Sequence, residues 1–337
     1  MFANSIILSR FYSFAESAKE YIMNFTDWFK NKLTDTREQS AALTLNEFFY
    51  SEYYPHVLTR KEKPQYDEGI FRNHFHKTLG TKTFESLNKK TLEQWLQNQL
   101  SKSIKKTTIN KHICLLNKLL KTASEWGHFE AFNSVVHNLN PLRTGQLTQR
   151  FLSEEEIAVV LELCSHSKHP FLKYFVELLL LTGARSGEAS NALWRDIDFT
   201  NAIWTVPKSK SGKTRFIYLN EPALELFVSI QKQAADIGLS TSTNCPVFTN
   251  PHTQKPYKGF HLAWYEVRKA AGLEDVRIHD LRHTYASLLV NKGVSLYEVQ
   301  QLLGHSSPQM TQRYAHFANK TLLTRSSIVG DMIVSAK

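Results

Sequence analysis

Residues 138–150 (NLNPLRTGQLTQR) constrain what this chain can fold into more than any other stretch. The segment is polar, carries Pro141 and Gly145, and follows a helical pattern stopped by Gly127. Just beyond it, Ser153 with Glu154, Glu155 and Glu156 forms an N-cap and capping box before a new apolar run, which marks a fresh domain. A chain of 337 residues can bury two separate cores. The expected organisation is therefore a helical domain over 41–135, a linker over 136–150 and a second domain over 151–325. Residues 1–40 stand apart as an N-terminal extension, and 326–337 form a C-terminal tail.

The extension places Phe11, Phe14, Ala18, Tyr21, Ile22, Phe25, Trp28 and Phe29 at helical spacing, which predicts one amphipathic helix with an aromatic face. Packing on the following domain is the plainer reading; contact with a partner protomer or accessory DNA is the alternative. From Thr44 to about Phe132 the pattern is helical, with helices opening at Leu45 and running near 66–78, 90–100 and 107–126. Lys102, Lys105, Lys106, Lys111, Lys118 and Lys121 lie on or just before the last of these, and no acidic residue falls between Glu93 and Glu125. A lysine run is often only a solvated face, but one free of carboxylates suits phosphate contacts with salt-dependent affinity. Lys102, Lys105, Lys106 and Lys111 are the candidate DNA-binding residues.

The second domain reads as mainly α with a small antiparallel sheet, an α+β arrangement. Helices are predicted over 170–181, 221–235, 258–271, 280–291 and 295–303, with Gly304 just past the last. Segments 202–206 and 215–219 are β-branched and aromatic, and they flank a Lys208–Lys213 turn as a hairpin. Ser307-Pro308 reads as N-cap and first residue of a short helix carrying Tyr314.

Bulk properties narrow the function. The formal charge of +10 and pI near 9.3 favour an anionic partner. No apolar run approaches the roughly 20 residues of a membrane span, and the start, MFANSIILSRF, lacks a basic n-region and a clear cleavage site. Cys114, Cys164 and Cys245 are far apart, with neither zinc spacing nor a disulfide framework, and read as reduced and mostly buried. A cytoplasmic location is expected.

One tyrosine stands in suggestive company. Tyr314 follows, in chain order, Arg185, Lys210, His279, Arg282 and His305. A phenol keeps its proton to about pH 10, so it attacks only where cations hold an anionic electrophile and a base takes the proton. Arg185 offers a rigid fork matched to two phosphate oxygens, and Glu188, three residues on, is expected to orient it. Lys210 sits on the hairpin turn, where Lys208 and Lys213 compete for the same role. His279 and Arg282 are three apart and share one face of a helix start. His283 is expected to point elsewhere as a packing or capping residue, and His316 is not needed. His305 follows Gly304 at a helix end. No dense Asp/Glu cluster suited to two-metal chemistry is present.

In this order, Arg185, Lys210, His279-Asp280-Leu281-Arg282, Leu303-Gly304-His305 and Tyr314 resemble the tyrosine site-specific recombinases, the phage-integrase family. Leu152 to Glu156 and Ala192 to Asp198 add to the likeness, which covers roughly 44–325. The resemblance implies that Tyr314 attacks the scissile phosphate to give a 3′-phosphotyrosyl bond and a free 5′-hydroxyl. It implies that Arg185 and Arg282 hold the non-bridging oxygens, that Lys210 protonates the leaving oxygen, that His279 is acid/base for the tyrosine, and that His305 supports the phosphate. It further implies no cofactor, metal or ATP, and a two-domain C-shaped clamp on duplex DNA with a helical core-binding domain. Four protomers would form the synaptic complex, with a directionality factor or DNA-bending protein as candidate accessories. Apolar residues of the tail (Leu322, Leu323, Ile328, Val329, Met332 and Ile333) would dock on a neighbouring protomer. Residues 1–40 do not look like the small β-rich arm-binding domain of some integrases. The leading expectation is integration or excision of a phage or mobile element. A Xer-like dimer-resolving recombinase, a type IB topoisomerase and a catalytically inactive DNA-binding regulator are the alternatives.

Overall fold

The computed structural model describes residues 43–128, 138–145, 150–207 and 214–315, together with 329 and 332–335. The expected N-terminal amphipathic helix and the lysine-bearing hairpin turn lie outside the described residues. The chain divides into two compact units, Met1–Gln146 and Leu147–Lys337.

The first unit is helical. Thr44 caps α1 (Leu45–Phe48) with a reciprocal capping box: its hydroxyl accepts from Glu47 N at 3.3 Å, and the Glu47 carboxylate accepts from Thr44 N at 3.0 Å. The chain then takes a π-helical turn over Phe49–Tyr53 before α2 (Tyr54–Leu58). Pro55 explains the wider turn, because it has no N–H for Ser51 O and its ring crowds that carbonyl. The turn places Phe49 flat on Phe71 of α3 (Gln65–His74), ring centroids 3.7 Å apart. Leu92, Trp95 and Leu96 of α4 (Lys89–Leu100) and Ile109, Ile113, Leu116 and Leu120 of α5 (Lys106–Glu125) complete the core. The α5 positions recur every three or four residues, the spacing of one helical face.

The segment after α5 departs from its linker-like composition. Asn117 Nδ2 donates to Leu139 O at 2.9 Å while Leu139 N donates to Asn117 Oδ1 at 3.0 Å. One further two-turn step along the helix, Asn110 makes the same reciprocal pair with Leu142, at 3.0 and 2.8 Å. Leu139 is buried in the core of this unit. Side-chain amides here mimic a strand edge, so the first part of this polar, proline-containing segment docks on α5 before the boundary between the units.

In the second unit the Ser153 capping box starts α6 (Glu154–Ser165) as its sequence predicts. The apolar helix α7 (Leu172–Thr182) lies centrally, packed on α6, on α9 (Glu221–Asp236) and on α11 (Asp280–Asn291). Between α8 (Ser186–Ser190) and α9 comes a three-stranded antiparallel sheet of β1 (Ile197–Asp198), β2 (Ile203–Val206) and β3 (Arg215–Tyr218). Register pairs Ile197 with Trp204 and Val206 with Arg215. The strand β1 was not expected, since two residues are too few to show a period. Alternation buries Trp204, Val206 and Ile217 and, on the same face, the charged Arg215. Thr214 Oγ1 donates to Pro207 O at 3.1 Å and closes the base of the hairpin.

The helices α10 (His261–Ala270), α11, α12 (Leu296–Leu303) and α13 (Gln309–Gln312) follow. The last differs from expectation: Pro308 occupies the cap, and Tyr314 sits beyond the helix end, its N–H donating to Thr311 O at 2.9 Å. Among the described residues, no helix is long and apolar enough to cross a membrane. The cysteines are unpaired, with Cys164 buried, Cys245 half-buried and Cys114 exposed, so only one is as buried as expected.

Asn117→Ala strands the Leu139 N–H and C=O inside the first unit and is expected to lower its stability by about 1–3 kcal/mol. Denaturant unfolding and faster hydrogen exchange at the Leu139 amide measure this; unchanged protection there would contradict the docking.

Candidate active site

Two helix ends build the site. Gly183 terminates α7 and Gly304 terminates α12, each in the left-handed conformation at φ +61°. A side chain at either is excluded by space as well as by backbone: a Cβ at Gly183 would meet the Tyr285 ring at 2.4 Å, and at Gly304 the Arg215 Nη1 at 2.5 Å. These turns leave the final carbonyls of each helix free of helical partners and partially negative.

Three arginines use those carbonyls. Arg282, 3% exposed, donates from Nη1 to Gly183 O and from Nη2 to Leu303 O, both at 2.6 Å. Arg215 Nη1 donates to the same Leu303 O. Arg185, at the cap of α8, reaches Gly304 O from Nη2 at 3.4 Å. Glu188 is buried among them: its carboxylate accepts from Arg185 Nη1 at 2.7 Å and from Arg185 N at 3.0 Å, and lies 3.4 Å from Arg215 Nη2. Burial first, then Arg185 and Arg215, pushes the Arg282 pKa down to about 9, still charged at neutral pH. Three guanidiniums around one carboxylate leave excess positive charge, which favours an anion beside them.

Arg215 carries no motif signal in the sequence. A hint was present, since the strand pattern places it on the inward face, where an arginine needs a buried anion or carbonyls.

The histidines divide. His305 Nδ1 lies 2.7 Å from Thr311 Oγ1, and burial together with Arg282 and Arg185 depresses its pKa to about 3. If the threonine hydroxyl donates, Nε2 carries the proton and is free to donate. His279, at the cap of α11, is exposed, and partial desolvation followed by Arg282 lowers its pKa. Among the described residues its ring has no hydrogen-bond partner and stands edge-on to His283, centroids 5.1 Å apart.

His283 corrects the expectation that it points elsewhere. Its Nδ1 lies 2.6 Å from Tyr314 Oη. Position i+4 from His279 puts both rings on one face of α11, whereas spacing to the distant Tyr314 could not be read from sequence. Tyr314 is 1% exposed; burial raises its pKa, opposed by Arg313 and Arg282. Burial and then His279 lower the His283 pKa to about 4, so the imidazole is neutral beside a protonated phenol.

Lys210, like Lys208, Lys213 and His316, lies outside the described residues. Lys102, Lys105, Lys106 and Lys111 are exposed on or near the start of α5, in the first unit, and none is ion-paired among the described residues. Of the other lysines there, Lys118 lies 5.6 Å from the Tyr53 ring centre and Lys121 pairs with Glu125 at 3.6 Å. Among the described residues no group of three or more His, Cys, Asp or Glu is placed to hold a metal ion.

Residues 150–321 match the model of the phage integrase family. Over 273 residues the chain is 30% identical to the tyrosine recombinase XerC of Staphylococcus carnosus (strain TM300), covering 77% of this chain and 87% of that one. The chain belongs to the phage integrase family. As a member it is a tyrosine recombinase, an enzyme of DNA cleavage and rejoining. It is also similar to the integrase of Salmonella phage P22, 33% identical over 177 residues, which is 50% of this chain and 44% of that protein. The fold matches a solved Tn1549 transposon integrase in complex with transposon right end DNA, at TM-score 0.68 and 19% identity, over 85% of this chain and all of that one.

Gly304→Ala forces a left-handed alanine, costing about 1–2 kcal/mol, and drives Arg215 from its carbonyl. A lower melting temperature is expected, with strand cleavage reduced at temperatures where the variant remains folded; cleavage equal to wild type would remove Arg215 from the site. Acid is a second test. His283 and His305 titrate near 4 and 3 in the folded unit but near 6.5 when unfolded. Between those values the unfolded chain binds protons that the folded chain does not, so stability falls as pH drops from about 6.5 towards 4. The urea midpoint of the second unit is expected to be lower at pH 5 than at pH 7.5.

Proposed function

We propose that this recombinase moves a phage or other mobile element into and out of a chromosome by cutting and rejoining DNA at specific sites. The observation that carries the chemistry is the convergence of Arg185, Arg215 and Arg282 on the ends of two helices, with Arg282 close enough to bias the buried Tyr314 phenol. A scissile phosphodiester supplies the negative charge this arrangement lacks.

In the proposed reaction Arg185 and Arg282 hold the non-bridging oxygens and stabilise the charge that grows on them in the transition state, the largest electrostatic contribution to such steps. Glu188 and the helix-end carbonyls keep the guanidiniums in place before DNA arrives, so little reorganisation is needed. His305 donates to the phosphate from Nε2. Tyr314 Oη attacks phosphorus, its proton passes to a histidine of α11, and the 5′-oxygen leaves with a proton from Lys210 on the hairpin. Rejoining reverses each step. The phosphotyrosine conserves the bond energy, so the cycle needs no external energy source.

Duplex DNA is the proposed substrate, gripped by the catalytic unit and by the Lys102, Lys105, Lys106 and Lys111 face of the helical unit, with four protomers in the synaptic complex. Met332 and Ile333 of the tail, 66% and 55% exposed, leave apolar surface that a neighbouring protomer would cover. A second reading, dimer resolution, is supported by the long alignment with XerC, which extends over 87% of that protein. The two readings differ in their DNA sites and share the chemistry.

A nicked duplex that traps the covalent intermediate tests it. The wild type is expected to form a protein–DNA adduct in the presence of chelator, and Tyr314→Phe to form none while binding DNA normally. An undiminished adduct from the phenylalanine variant would place the nucleophile elsewhere.

A further inference from the structure

The resemblance of this chain to its family assigns the tyrosine's proton to His279, yet the phenol is bonded to a different histidine. Tyr314 Oη and His283 Nδ1 are 2.6 Å apart, within the range for general acid–base transfer, whereas His279 is exposed and makes no such bond. We propose that His283 is the catalytic group that takes the proton of Tyr314 on cleavage and returns it on rejoining. This rests on Tyr314 being the nucleophile.

The geometry is that of a base in place. His283 is held in α11 with 7% of its surface exposed, and its ring faces Tyr314, His279, Asp280, Arg277 and Arg313. A neutral imidazole accepting at Nδ1 carries its own proton on Nε2. As Oη bonds to phosphorus, the O–H pair stays with oxygen and the proton moves to Nδ1, giving an imidazolium. The bond from phosphorus to the 5′-oxygen breaks, and that oxygen takes a proton from the lysine. On rejoining, the 5′-hydroxyl attacks phosphorus and gives its proton back to the lysine, the phenolate leaves, and Nδ1–H protonates it. Asp280, fully buried and already bonded to Arg277 at 2.7 Å, is the carboxylate that stabilises the imidazolium. His279 is then free to serve the phosphate or the solvent side.

Asparagine separates proton transfer from positioning, because its Oδ1 keeps an acceptor near the Nδ1 position but cannot be protonated at neutral pH. The probes are duplexes selected by the full chain from a random-sequence pool, with nicks tiled across the selected site. Adduct formation reads cleavage. A second substrate ends in a 3′-p-nitrophenyl phosphate, which a 5′-hydroxyl joins without Tyr314 and without protonation of the leaving group. His283→Asn is expected to lose about 100-fold or more in cleavage, with DNA binding intact and joining of the p-nitrophenyl strand within about fivefold of wild type. His279→Asn is expected to lose less in cleavage. Cleavage by His283→Asn within about fivefold of wild type, or an equal loss of cleavage and p-nitrophenyl joining, would overturn the assignment. Absence of any adduct from the wild type would instead overturn the tyrosine chemistry beneath it.

Discussion

The site depends on a few carbonyl oxygens at the ends of two helices. Like charges in a low-dielectric pocket repel strongly, and three guanidiniums with one carboxylate would not assemble without further negative partners. Leu303 O, Gly304 O and Gly183 O are those partners. They are available because each helix ends in a left-handed glycine, which turns the chain away and leaves the last carbonyls without intrahelical donors. Arg215 also ties β3 to α12, so the strand that leads out of the lysine-bearing hairpin is fastened to the same helix end. Packing of α11 against both α7 and α12 holds the two ends in register.

Protonation follows from the same charge imbalance. Burial and the arginine field keep His305 neutral, burial and His279 keep His283 neutral, and burial keeps the phenol protonated. The Tyr314 phenol, the proposed nucleophile, therefore rests protonated and hydrogen-bonded to the His283 imidazole. A phosphate would cancel part of the positive field and make an imidazolium less costly beside it. In the proposed reaction, substrate binding and proton transfer are thereby coupled through charge.

Much of the fold could be read from sequence because its signals are local. The Ser153 capping box, the apolar period of α7, the alternation of β2 and β3 and the glycine after α12 each act over a few residues. The misreadings share a different cause. Residues 139–142 look like linker, but two asparagines on α5, more than twenty positions away, pin them. Tyr314 was expected on a helix that starts at Pro308, yet α13 ends at Gln312. The strand β1 is too short to carry a period.

The sequence alone determined the candidate reacting groups: an ordered series of Arg185, His279, Arg282, His305 and Tyr314, with a lysine turn between, whose residue types suit binding and attacking a phosphodiester. Residue type fixes the intrinsic pKa, the sign of charge and the donor geometry, so that much is written in the chain. Which histidine touches the tyrosine, and that Arg215 joins the other arginines, only the tertiary structure decided. His283 and Tyr314 are 31 residues apart and Arg215 and Leu303 are 88 apart. Contacts at such separation arise from how helices and strands pack, and no periodicity or motif spacing encodes them.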